Sequence, residues 1–107
     1  MRKIESEMIQ AIRSRRDWRS ANTSVDVTDH GVIVRLHNNK IAQLTDNSLY
    51  ICDCGWQSST TKSRLNSILR EFANAYIYQC NFTWFLNDRF EDENAMERNE
   101  VYEVTLR

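Results

Sequence analysis

The stretch Gly55-Trp56-Gln57-Ser58-Ser59-Thr60-Thr61-Lys62-Ser63-Arg64-Leu65-Asn66 marks a change from one structural period to another. Ahead of it Leu49 and Ile51 alternate as on a strand. Beyond it Leu65, Ile68, Leu69 and Phe72 recur at three- and four-residue spacing, the period of a helix with one buried face. Between the two stand a glycine and a run of hydroxyl side chains, which accept hydrogen bonds from the unpaired N–H groups of a first helical turn. The pattern predicts a helix over 59–74 with Thr60 or Ser59 as its N-cap.

Working outward toward the N-terminus, short alternating runs are separated by turn residues. Val25 and Val27 precede Asp29-His30-Gly31, and Val32, Val34 and Leu36 precede Asn38-Asn39. Ile41 to Leu44 precedes Asp46-Asn47, before Leu49 and Ile51. Asn and Gly tolerate the positive φ of tight hairpins, so 23–54 reads as a four-stranded antiparallel meander. Residues 1–20 form a basic helix from Arg2 to about Arg16. Its apolar stripe is Ile4, Met8, Ala11 and Ile12, with Glu5, Glu7, Gln10 and Arg13 on the other faces.

Downstream, 76–86 reads as a second hairpin turning at Cys80-Asn81. Tyr76 and Tyr78 share one face, Phe82, Trp84 and Leu86 another, with Phe85 and Thr83 opposite; one set packs on the helix and the other meets the N-terminal helix or is exposed for a partner, core being the expected use. The acidic stretch 87–99, with only Phe90 and Met96 as sizeable apolar residues, reads as a loop or marginal helix, and 100–107 as a closing strand. The fold class is α+β within a single domain, 1–107. Its order is N-terminal helix, meander, central helix, second hairpin and C-terminal strand.

Composition narrows the function classes. The 107 residues are 41% hydrophobic and 10% aromatic, with Trp18, Trp56 and Trp84 among them, enough for a core without metals or disulfides. Three cysteines are an odd number, and no secretory signal precedes the charged start, so a reducing cytosol is expected. No apolar run approaches membrane-spanning length, and no membrane partner is expected. The net charge of -1 hides a gradient: residues 1–20 carry six cations against three carboxylates, and 86–107 three against seven. That neutral total is unlike a dedicated nucleic-acid binder.

Two basic segments stand out. The helix start at Thr60, Thr61, Lys62 and Arg64 has hydroxyls, cations and free N–H groups, so it reads either as capping with solvated cations or as an anion site for a phosphate backbone. It is not a P-loop, because five residues separate Gly55 from Thr61-Lys62-Ser63 and the second glycine is missing. Arg13, Arg15, Arg16 and Arg19 surround Trp18 at the end of the first helix. Three uses fit them: complementing the helix dipole, contacting a partner protein, or holding phosphate beside a stacked base.

Catalytic and metal chemistry find no footing. Cys52 and Cys54 would share a strand face, but zinc pairs have two intervening residues and a second matching pair. His30 and His37 lie at opposite ends of one predicted strand, and the carboxylates gather in a solvated acidic region. The chain is expected to be no enzyme and to need no cofactor or metal.

The segment Gly55 to Asn66, followed by Tyr78-Gln79-Cys80-Asn81-Phe82-Thr83-Trp84-Phe85-Leu86 and preceded by Leu36-His37-Asn38-Asn39-Lys40-Ile41-Ala42, resembles a family of small tailed-phage accessory proteins of unknown function. Cys80 and Phe82 depart from that pattern, where a charged residue and a glycine would flank the asparagine. The resemblance implies a phage gene product in the host bacterial cytoplasm. It suggests a non-enzymatic protein that binds and modulates a host protein of defence or gene expression, through Arg15, Arg16, Trp18 and Arg19. The alternatives are nucleic-acid backbone binding through 60–64 with the N-terminal arginines, and self-association.

Overall fold

The computed structural model describes residues 2–88 and 94–107. The Phe90 portion of the acidic stretch lies outside these. The first helix, α1 (Lys3–Ser14), buries Glu5, Met8, Ile9, Ala11 and Ile12. This stripe is rotated from the expected one, and it brings Glu5 inside. The helix ends where Arg15 takes φ 50. The Arg15 N–H then reaches Ile12 O at 3.2 Å and the Arg16 N–H reaches Ala11 O at 3.1 Å. That bond pair is a Schellman closure, with arginine where glycine is the usual occupant.

The expectation of a basic helix over 1–20 is therefore corrected. After the closure Asp17 accepts the Val27 N–H at 2.8 Å, and the chain continues as a strand, β1 (Trp18–Ser20). Four further strands follow as expected: β2 (Thr23–Thr28), β3 (Gly31–Leu36), β4 (Asn39–Leu44) and β5 (Ser48–Cys52). The turn between β3 and β4 is His37-Asn38, at φ 51 and 67, one residue earlier than the Asn pair suggested. The remaining elements are α2 (Ser59–Phe72), β6 (Ala75–Cys80), β7 (Thr83–Asp88), β8 (Asn94–Ala95) and β9 (Val101–Thr105).

Six strands form one antiparallel sheet in the order β1-β2-β3-β4-β5-β9, and β6-β7-β8 form a second. The chain leaves the large sheet after Cys52, builds α2 and the small sheet, and returns along the free edge of β5. Register aligns Trp18, Val25, Val34, Ala42, Ile51 and Tyr102 in one row across all six strands. A parallel row runs through Val27, Val32, Leu44, Leu49 and Val104. Apart from Val27, which is exposed, these rows face the helices and the core. The opposite face carries Arg19, Ser24, Arg35 and Lys40, then Asp26, Ile33, Gln43, Tyr50 and Glu103. A register shift beside Val34 leaves Ile41 as an extra residue, and it too is buried.

In the small sheet Ala75, Ile77, Trp84 and Leu86 point to the core, while Tyr76, Tyr78 and Phe85 face outward, with Tyr78 and Phe85 stacked at 5.3 Å. One set thus packs on the helix as expected, and the expected core packing of the second set is corrected. The reason is the alternation of the strands: one face of a three-stranded sheet covers α2, and nothing among the described elements covers the other. Edge strand β6 is closed by a side chain of α2. Asn66 accepts the Ile77 N–H at 2.7 Å and donates to Ile77 O at 2.9 Å, standing in for a neighbouring strand. Asn94 and Ala95, expected in a loop or helix, are strand residues paired with Leu86 and Phe85.

Of the two glycines, Gly31 is the one with no room for a side chain. It sits at φ 111, and a Cβ there would lie 2.2 Å from Leu44 O. Gly31→Ala therefore forces β3 from β4, and the expected outcome is a loss of more than about 1 kcal/mol, read as a lower urea midpoint with unchanged m-value.

Candidate functional site

The start of α2 is capped by Ser58, one residue before the expected positions, because its extended backbone at φ -98 and ψ 163 aims its hydroxyl at the Thr61 N–H, 3.2 Å away. Thr61 is buried with its hydroxyl 3.0 Å from that of Ser58. Thr60 is half-exposed. Lys62 lies over the Trp84 ring at 5.9 Å and donates to Gln79 at 3.4 Å.

Arg64 is withdrawn from solvent altogether, at 4% exposure. It donates to Glu5 Oε2 at 2.8 Å and to Thr23 Oγ1 at 3.1 Å. Helical spacing explains this: Thr61, Arg64, Leu65 and Ile68 fall on one stripe, so the cation enters the core with its apolar neighbours. As phosphate ligands Thr61 and Arg64 are thus corrected, since both are committed to internal partners.

Glu5, at 3% exposure, receives Ser63 Oγ at 2.6 Å besides Arg64. Burial pushes its carboxyl upward, but the hydrogen bonds from Ser63, Arg64 and Ser67, with the Arg64 charge, outweigh this and hold it below the ordinary 4.5.

The N-terminal cations are dispersed by the fold. Arg13 pairs with Glu71 and stands 5.6 Å from the Phe72 ring centre. Arg15 lies at the β2–β3 end of the large sheet with Asp29 and Asp46. Arg16 is exposed, and Trp18 is half-buried against the core. Arg19, the next residue along β1, lies toward the other end of the sheet near Asn22 and Asn38. A single arginine and tryptophan patch on a helix end does not form, because the chain turns at Arg15 into an extended strand.

Between the β3–β4 turn and the start of α2 lies a cleft of about 600 Å³. Leu36 and Ile41 form apolar wall, His37 and Thr60 polar wall, and Trp56 stands at its side with 66% of its surface exposed. Asp53 builds the loop that carries Trp56. Its Oδ1 accepts the N–H groups of Gly55 at 2.8 Å and Asn99 at 2.7 Å, and its Oδ2 accepts Gln57 Nε2 at 3.0 Å. An aspartate two residues before a glycine is the sequence trace of such an Asx turn; the contact to Asn99 has no local signal.

Cys54 follows at φ 55, so the two thiols do not share a strand face as expected, since β5 ends at Cys52. The Cys54 Sγ donates to Lys40 O at 3.0 Å, and burial with the neighbouring Cys52 pushes its thiol up to about 11.

At the tip of the β6–β7 hairpin the turn residues are Asn81 and Phe82, at φ 50 and 65, not Cys80 and Asn81. Phe82 consequently leaves the face of Trp84 and is 92% exposed. Two positive φ values define a type I′ turn, whose second position favours glycine.

A family model described as Kyanoviridae Gp96 protein matches residues 1–105. No curated protein and no solved structure matches the chain. Among the described residues no helix is long and apolar enough to cross a membrane.

Removing the cation of the buried pair strands a carboxylate, so Arg64→Met is expected to cost about 3–5 kcal/mol in chemical denaturation. Because the Glu5 carboxyl is held below 4.5, its contribution is present above that pH and is lost as pH falls through the lower folded-state value. Glu5→Gln is therefore less stable than wild type at pH 7, and the gap narrows in acid below about pH 4.5, measurable by urea unfolding across pH.

Proposed function

Since the chain belongs to the Kyanoviridae Gp96 family of phage proteins, we propose that it acts without catalysis, by binding and modulating a protein of the infected host. The observation that carries this reading is Phe82. A bulky residue at φ 65 in a turn that favours glycine carries about 1 kcal/mol of backbone strain, and exposing a phenyl ring to water at 92% returns nothing to the fold. Exposed Ala21 and His37 also take positive φ, and what sets Phe82 apart is the large apolar ring held in water, which supports a contact with something outside the chain.

The hairpin that carries Phe82 also presents Tyr76 and the stacked Tyr78 and Phe85 on its outward face. Large aromatics of this kind supply most of the energy at protein interfaces by filling dry pockets on a partner. The contact region thus centres on the β6–β7 hairpin. Trp18, half-buried and packed against the core, belongs to the fold's interior row.

Phe82→Gly separates contact from folding. Its stability is expected to equal or exceed wild type, by up to about 1 kcal/mol. Affinity capture from nuclease-treated infected cells is expected to lose its host protein with this variant while wild type retains it. Equal capture by both proteins would remove Phe82 from the interface.

A further inference from the structure

The register of the large sheet places three cations, none of them in the Phe82 hairpin, in one line on its solvent face. Arg19 on β1 stands opposite Ser24 on β2, Ser24 opposite Arg35 on β3, and Arg35 opposite Lys40 on β4. With strands spaced about 4.8 Å apart, the line runs about 14 Å. Arg19 and Lys40 are exposed and Arg35 is half-exposed. Arg35 meets Asp26 in a salt bridge, and Lys40 donates to Gln43 at 3.2 Å. Both are surface ties of small net worth, readily exchanged for a stronger anion.

Neutral donors accompany the line. Asn22 and Asn38 form with Arg19 a shallow cleft of about 250 Å³, with Ser24 buried beneath it. His37 in the β3–β4 turn is a wall of this cleft and equally of the larger one that holds Trp56. A cationic track and an exposed indole therefore flank the same hairpin turn.

We propose that this end of the sheet binds single-stranded nucleic acid, with phosphates along Arg19, Arg35 and Lys40 and an unpaired base stacked on Trp56. Charge complementarity supplies the track, and Asn beside Arg and Lys is among the side chains that collect on phosphate oxygens. The indole decides between a nucleic acid and an acidic peptide. Every base has a flat face to lay on it, whereas a run of carboxylates has none. The chain's net charge of -1 leaves the local line as the whole electrostatic attraction, so binding is modest and easily screened.

Fluorescence anisotropy with a labelled oligothymidylate at low salt, alongside tryptophan emission, tests the proposal. Three phosphate contacts to a single strand give a log affinity against log salt slope of about -2, and Arg19→Ala makes it shallower by roughly 0.7. Trp56→Ala is expected to weaken binding about tenfold and to remove the quenching of emission that the oligonucleotide causes. Both variants replace exposed side chains, and unchanged thermal melting by circular dichroism verifies that they fold. A flat titration at low salt overturns the proposal, as does a Trp56→Ala protein that binds like wild type. Equal affinity for polyglutamate without quenching also overturns it, making the line an acidic-peptide site.

Discussion

The buried pair of Glu5 and Arg64 is the constraint on which the rest of the structure depends. It joins α1 to α2, and through the Arg64 bond to Thr23 it joins both to the first long strand of the sheet. A charge in the interior is tolerable only when its partners are complete, and Ser63 and Ser67 finish the set around the carboxylate. Helix positions are consequently specified in both rotation and height: a turn of either helix about its axis would strand a charge. The buried apolar side chains give most of the stability by their area, but they tolerate small rotations that this pair does not.

Once the helices are placed, the two sheets have little choice. The large sheet lays its apolar rows under α1 and α2, and the small sheet lays Ile77, Trp84 and Leu86 against the second helix. Asn66 adds a polar check on the same arrangement, since both of its amide atoms must meet the backbone of Ile77. Asp53 performs the corresponding role for the loop beneath Trp56, tying it to residues near Asn99. One charged pair and two further side chains of ordinary type thus hold helix to helix, helix to edge strand, and loop to the returning chain.

Against this economy the left-handed residues stand out. Asn38 and Gly31 occupy such positions at small cost, for reasons of their own chemistry, whereas Arg15 and Phe82 do not. At Arg15 the strain closes a helix with two satisfied hydrogen bonds, a local compensation. At Phe82 no compensation is visible in the fold, and a ring is held out in water. That asymmetry is why the hairpin tip, and not the arginine cluster, carries the functional reading.

Much of the architecture was legible in the residues alone: the α+β class, the meander strands, both helices, the hairpin and the last strand follow from period, glycine and asparagine placement, and hydroxyl-rich helix starts. These signals are local, because backbone geometry repeats within a few residues and turn chemistry acts at the turn itself. What only the tertiary structure decided was which polar residues lie inside. Glu5 and Arg64 look like solvated charges by composition, and their spacing within each helix permits either rotation; the choice was made by two groups 59 residues apart meeting in a dry interior. The same holds for β9 joining β5 across the whole second half of the chain, and for the line of Arg19, Arg35 and Lys40. Register between strands is a property of pairing, and no single strand contains it.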